Sequence, residues 1–144
     1  MQKRNSIIKI LFIIALFAFL FNLAWEVMHS PLYKTVTDMS VQEYIPRILR
    51  ASLGDIVMIL IIFIFISIIN KSITWKLNKN NVTLSIISGI IIAIAFELFA
   101  QYTNRFAYNS AMPIIPIIKV GLTPVLQMII TPLLTFFFSR KIIL

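Results

Sequence analysis

The chain has 144 residues, 60% of them apolar, a mean hydropathy of +0.96 and no cysteine. Only 12% of its residues are charged, against about 25% in soluble domains, so it reads as an integral membrane protein. Without cysteine there are no disulfides, no thiol catalysis and no thiolate metal ligands. The formal charge of +8 is scattered between apolar runs rather than gathered into one patch, which argues against nucleic acid as a partner.

Four runs approach the roughly 20 residues that a helix needs to cross the hydrocarbon core. They cover residues 7–25, 51–69, 82–101 and 120–139. Membrane strands are about half as long and alternate in polarity, so length selects helices. The expected fold is all-α: a four-helix transmembrane bundle forming one integral membrane domain over residues 1–144.

Lys3 and Arg4 precede the first run much as they would in a signal peptide. The run is too long for a signal core and no small-x-small cleavage site follows, so it is read as a retained span. After it, His29-Ser-Pro-Leu-Tyr33 should end the helix, because Pro31 disfavours helical geometry in the residue before it. Ser40-x-x-Glu43 has the spacing of a capping box, and Pro46 suits a first helical turn. The polar turn from Lys71 to Asn81 contains Trp75, expected as an interfacial anchor. The loop after the third run carries Tyr102, Phe106 and Tyr108, a candidate aromatic belt. Its continuation, Met112-Pro-Ile-Ile-Pro-Ile-Ile118, is apolar but too short and proline-rich to span. It is expected as an interfacial or re-entrant segment before the fourth helix, roofing a cavity.

Eight basic residues (Lys3, Arg4, Lys9, Lys71, Lys76, Lys79, Arg140 and Lys141) fall on one side of this arrangement. Five (Lys34, Arg47, Arg50, Arg105 and Lys119) fall on the other, diluted by Asp38 and Glu43. The positive-inside rule therefore expects both termini in the cytoplasm of a multi-pass plasma or inner membrane protein. The cytoplasmic segments are too short for a soluble catalytic domain. Any site belongs in the membrane or on the outer face.

All five acidic residues are then absent from the cytoplasmic side, and Glu26, Asp55 and Glu97 sit within or beside the spans. A carboxylate in hydrocarbon costs about 2.5–3.5 kcal/mol on insertion scales, which makes each a candidate functional group. Asn22, Glu26 and His29 form one helical stripe, and Glu97, Gln101 and Arg105 a second. With Asp55 and Gln127 they reach a similar depth in the outer leaflet, where they should turn toward one another around an outward-facing pocket. Each group also has a plainer reading. Glu26 and His29 suit an interface, Asp55 a helix start, Glu97 a contact with Arg105 or Gln127, and Gln127 a bond between helices. Pro124 and Pro132 suit kinks, and Gly54 and Gly121 suit helix starts or close packing.

Three functions use this set. Glu26-x-x-His29 resembles in spacing the pairs of carboxylate-bridged metal sites; with Asp55 and Glu97 it would offer one nitrogen and three carboxyl ligands to a metal. Alternatively, Glu26, His29, Asp55 and Glu97 serve as an acid–base set acting on a lipid-like molecule. In that case Gln101, Arg105, Lys119 and Gln127 bind the substrate, with Arg105 and Lys119 holding a phosphate or carboxylate headgroup while an isoprenoid or lipid tail lies among Ile and Phe side chains. The third function is a non-catalytic subunit whose polar groups hold helices or a homo- or hetero-oligomeric partner. Residues 10–21 and 56–66 are apolar throughout, so a polar path across the membrane is not expected and binding is favoured over transport. No cofactor motif is present: there is no phosphate-binding glycine loop, HExxH or GxSxG.

Overall fold

Five helices and one two-stranded hairpin make up the computed structural model, which describes residues 2–143. The side chains of Lys3 and Arg4, part of the charge count above, lie outside those described. Four helices are long and apolar enough to cross a membrane: α1 (Gln2–His29), α3 (Val41–Ile69), α4 (Lys79–Tyr102) and α5 (Leu122–Ile143). A short α2 (Lys34–Thr37) lies in the first loop, and β1 (Ile114–Ile115) pairs antiparallel with β2 (Val120–Gly121) just before α5. The long helices alternate in direction, so the chain ends and the α3–α4 turn lie at one end of the bundle. The two long loops lie at the other.

Each helix ends for a local reason. A 3₁₀ turn over Ser30–Leu32 follows α1 where Pro31 enters. The carboxylate of Glu43 reaches back to accept from the Ser40 backbone N–H (3.0 Å) and hydroxyl (2.8 Å), which starts α3 at Val41. That start lies ten residues before the expected span, so Pro46 sits in the second turn rather than the first. Helices α3 and α4 both close with Schellman bonds: Ser72 N–H to Ser67 C=O (3.0 Å), and Arg105 N–H to Ala100 C=O (2.9 Å). Lys71 and Asn104 take the left-handed conformation that this closure requires.

At the terminal end the core is apolar: Ile10, Ile14, Ile59, Ile62, Ile66 and Phe136 are buried around Trp75. Trp75 is only 6% exposed. Its ring packs on Phe63 and Phe136 and its indole donates to Ser67 Oγ at 3.0 Å. Expected as an interfacial anchor, it instead plugs the bundle, because Arg140 holds its carbonyl at 2.7 Å and folds the turn inward. Asn70 and Asn81 pair their amides across the same turn at 2.8 and 3.2 Å.

Helices α4 and α5 approach closely at Gly89. Ser85, Gly89, Ala93 and Glu97 recur every four residues on the buried face of α4, a small-residue seam that lets backbones approach. A Cβ built at Gly89 would lie 2.0 Å from the Met128 carbonyl oxygen. Gly54, by contrast, has nothing within 4 Å and lies inside α3, so it serves neither the helix start nor the close packing expected of it. Helices α3 and α4 touch far less than the other adjacent pairs, which leaves the ring of helices parted along that side.

Substitution should separate the two glycines. Gly89→Val should lower the unfolding free energy in detergent by about 1–3 kcal/mol or more through overpacking. Gly54→Ala should leave stability unchanged or raise it by about 0.5–1 kcal/mol, since a mid-helix glycine carries an entropic penalty. Equal effects of the two on thermal unfolding would contradict this helix packing.

Candidate functional site

The polar groups of the loop end line one cavity of about 370 Å³. Glu26 and His29 reach it from α1, Asp55 from α3, Glu97 from α4 and Gln127 from α5. The helical periods explain the convergence. Asn22, Glu26 and His29 share a face of α1 that turns toward α5, and the seam that buries Gly89 also turns Glu97 inward. All four residues expected as acid–base groups or metal ligands therefore border the same space.

Gln127 is the hub. Its amide nitrogen lies 2.8 Å from Asp55 Oδ2, 3.1 Å from Glu26 Oε1 and 3.0 Å from Asn22 Oδ1. An amide nitrogen has two hydrogens, so three acceptors share them. Thr131 supports the arrangement through bonds of 3.0 Å to Asn22 Oδ1 and to the Gln127 carbonyl. Asn22 is held in turn by its own bond to Ala18 C=O at 2.8 Å. Glu26 also meets His29 Nε2 at 3.1 Å, and the other ring nitrogen faces Thr123 Oγ1 at 3.4 Å.

Glu97 has a different partner from either expected one. It bonds neither Arg105 nor Gln127 but accepts from the Tyr108 hydroxyl. That hydroxyl accepts in turn from Gly121 N–H (3.0 Å) and Gln101 Nε2 (3.1 Å). The loop carrying Tyr108 is fixed by pairing with the first loop, where Asn109 N–H bonds Leu32 C=O (2.8 Å) and Lys34 N–H bonds Ala107 C=O (2.9 Å). Tyr33, Phe106 and Tyr108 then pack ring on ring, with centroids 5.1–5.7 Å apart.

Two of the expected substrate contacts lie elsewhere. Gln101 spends its amide on Tyr108 and the Lys119 carbonyl, and Lys119 occupies the β-hairpin turn with a left-handed backbone; neither borders the cavity. Arg105 and Gln127 do border it. The proline-rich segment forms the hairpin and does not roof the cavity, whose edge comes from Tyr33, Val36 and Phe106 instead. Asp55 cannot cap a helix start, because α3 begins fourteen residues earlier. Among the described residues, no three His, Asp or Glu side chains are grouped as a metal ion would need.

Arg47, Arg50 and Tyr33 also border the cavity, and sequence reasoning assigned them no such place. A signal existed for Arg47, which is two helical turns before Asp55 on the same face of α3. The terminal half is also less apolar than expected. Helices α1 and α3 conform, but Ser85, Thr135 and Ser139 lie buried on the α4–α5 seam with unpartnered hydroxyls. Compared with known proteins, the chain matches no family model, no curated protein and no solved structure.

Burial, then the bond to Glu97, pushes the Tyr108 phenol up to about 12, and burial with nearby carboxylates raises Tyr33 as well. The folded state then holds these phenolic protons more tightly than the unfolded chain, whose tyrosines ionise near pH 10. The part of the stability that these two phenols contribute should accordingly be constant below pH 10 and fall as pH rises from about 10 toward 12. Tyr108→Phe should shrink that alkaline loss in thermal unfolding across the same range. An unchanged alkaline slope would contradict the assignment.

Proposed function

We propose that the protein binds, and alters by proton transfer, a small lipophilic or lipid-like molecule in an intramembrane pocket. The pocket faces outward from a plasma or inner membrane, with both termini in the cytoplasm. One observation carries this reading: three carboxyls, an imidazole and an amide, brought by four separate helices, border a single cavity. Its volume of about 370 Å³ lies within the range of about 300–1,000 Å³ typical of small-molecule sites. Polar groups and the apolar walls formed by Met58, Ala93, Phe96 and Met128 suit a ligand that is polar at one end and greasy at the other. Carboxyl groups at this depth are costly without a task or a partner.

In this reading Glu26 and Glu97 exchange protons with the ligand, each tuned by one neighbour. His29 relays protons through Glu26, and Tyr108 holds the Glu97 carboxyl in place. Asp55 balances positive charge, and Gln127 keeps it beside Glu26. The seam between α3 and α4 is the route by which a molecule dissolved in the bilayer reaches these groups.

A second reading has its own support. Gln127 ties α1, α3 and α5 together, which is what a non-catalytic membrane subunit needs to hold its helices in register. Mass spectrometry of protein extracted from its native membrane distinguishes the two. A lipid-like molecule should accompany the wild type and be lost from Gly54→Trp, which fills the cavity, with thermal unfolding unchanged. Glu97→Gln should retain that molecule but in a chemical form different from the one the wild type carries. Identical forms in both would remove the acid–base role, and the absence of any retained molecule would favour the structural subunit.

A further inference from the structure

Three arginines stand at the mouth of the cavity, above the carboxyl groups: Arg47 and Arg50 on α3 and Arg105 just beyond α4. Their contacts leave most of their donors unused. Arg47 Nη2 lies 3.4 Å from Thr35 Oγ1, Arg50 Nε donates to the Pro46 carbonyl at 3.2 Å, and Arg105 stacks 5.0 Å above the Phe99 ring. The single ion pair among the described residues is Glu26–His29, so none of the three is in direct contact with a carboxylate. A guanidinium carries five N–H donors in a rigid fork suited to phosphate oxygens. Three such forks exceed what one carboxylate can accept, whereas a terminal phosphate offers three oxygens and close to two negative charges.

The space below is shaped to continue such a ligand inward. Gly54 lies one turn beyond Arg50 on α3 and presents no side chain, with nothing within 4 Å of where one would stand. At about 30 Å³ per water, the cavity has room for roughly a dozen waters, enough for a headgroup and the first carbons of a tail. A longer tail has to leave between α3 and α4, where the helices are parted and Phe96, which borders the cavity, is exposed.

We infer that Arg47, Arg50 and Arg105 form a phosphate site for a lipid monophosphate whose tail leaves through the α3–α4 seam. The inference rests on the pocket reading above and names the chemical class of its ligand. The basic residues of this face thus divide by role: Lys34 and Lys119 lie off the cavity, and the three arginines hold the anion. The carboxyl set then lies below the phosphate, beside the first atoms of the tail, rather than against the phosphate charge.

The test uses the full chain in phosphatidylcholine nanodiscs with three probes: farnesyl monophosphate, farnesol and inorganic phosphate. Farnesyl monophosphate should bind most tightly, and more weakly as salt is raised. Each single Arg→Gln variant should lose about 10- to 100-fold in affinity, the range expected for a charge-assisted hydrogen bond of about 1.5–3 kcal/mol. Arg→Lys should recover part of that loss, and Lys34→Gln should bind with the affinity of the wild type. Thermal unfolding identifies any variant that fails to fold, and the remaining two arginines then carry the test. Farnesol binding as tightly as its phosphate, unaffected by the arginine variants, would overturn the phosphate site but leave the lipid pocket standing. No binding of either farnesyl compound would remove the pocket reading itself. Inorganic phosphate binding as tightly as the lipid phosphate would keep the anion site and overturn its lipid source.

Discussion

One buried amide sets the terms for the rest of this bundle. Gln127 is 3% exposed, and it faces oxygens from two helices other than its own. In an apolar interior an unpaired polar group costs about 1–3 kcal/mol, and more if charged, so none of these side chains is at liberty to turn away. The amide therefore fixes how deep α5 sits against α1 and how close α3 comes to both. Gly89 sets the other boundary by admitting the α5 backbone at Met128. Together they leave α3 and α4 as the pair that does not close, and the cavity occupies that gap.

The polar and apolar ends follow different rules. At the terminal end, Trp75 and Phe136 fill the centre and dispersion holds the helices. At the loop end, hydrogen bonds replace packing, and the two loops must pair to finish the network. Tyr108 shows this dependence. Its hydroxyl joins Gly121 and Gln101 to Glu97, and its place depends on the backbone bonds between the loops at Leu32 and Ala107. A carboxyl deep in α4 is thus held by a residue that belongs to no helix. The orphaned hydroxyls of Ser85, Thr135 and Ser139 extend polarity past the cavity, but Gly89 and Met128 close the seam between them and its floor.

Much of this was legible in the sequence, and the failures have identifiable causes. Four long apolar runs gave four helices because nothing else of that length satisfies its backbone in lipid. The stripe of Asn22, Glu26 and His29 was readable because helical period alone determines it. The partner of Glu97 was not, since Tyr108 lies across a loop whose closure depends on non-local pairing. Asp55 was misjudged as a possible cap because hydropathy marks where a span enters the membrane, not where its helix begins, and α3 starts at Val41. Ser40, Glu43 and Pro46 marked the start of that helix, but Arg47 and Arg50 read only as topology charges because nothing in the local sequence ties them to a cavity. Trp75 looked like an anchor because its flanking residues are polar, and only the Arg140 contact shows why it turns inward.

The central claim is that these acidic groups border a hollow which water reaches from one face only. The chain has no cysteine, so Gly54→Cys introduces a single thiol at a position with no neighbour within 4 Å. Its reaction with a membrane-impermeant thiosulfonate in sealed vesicles is the most direct measurement. The account predicts rapid labelling from the side opposite the termini, and protection when the cavity is occupied by farnesyl monophosphate. A thiol that stays unreactive from both sides, or that labels equally from each, would contradict it.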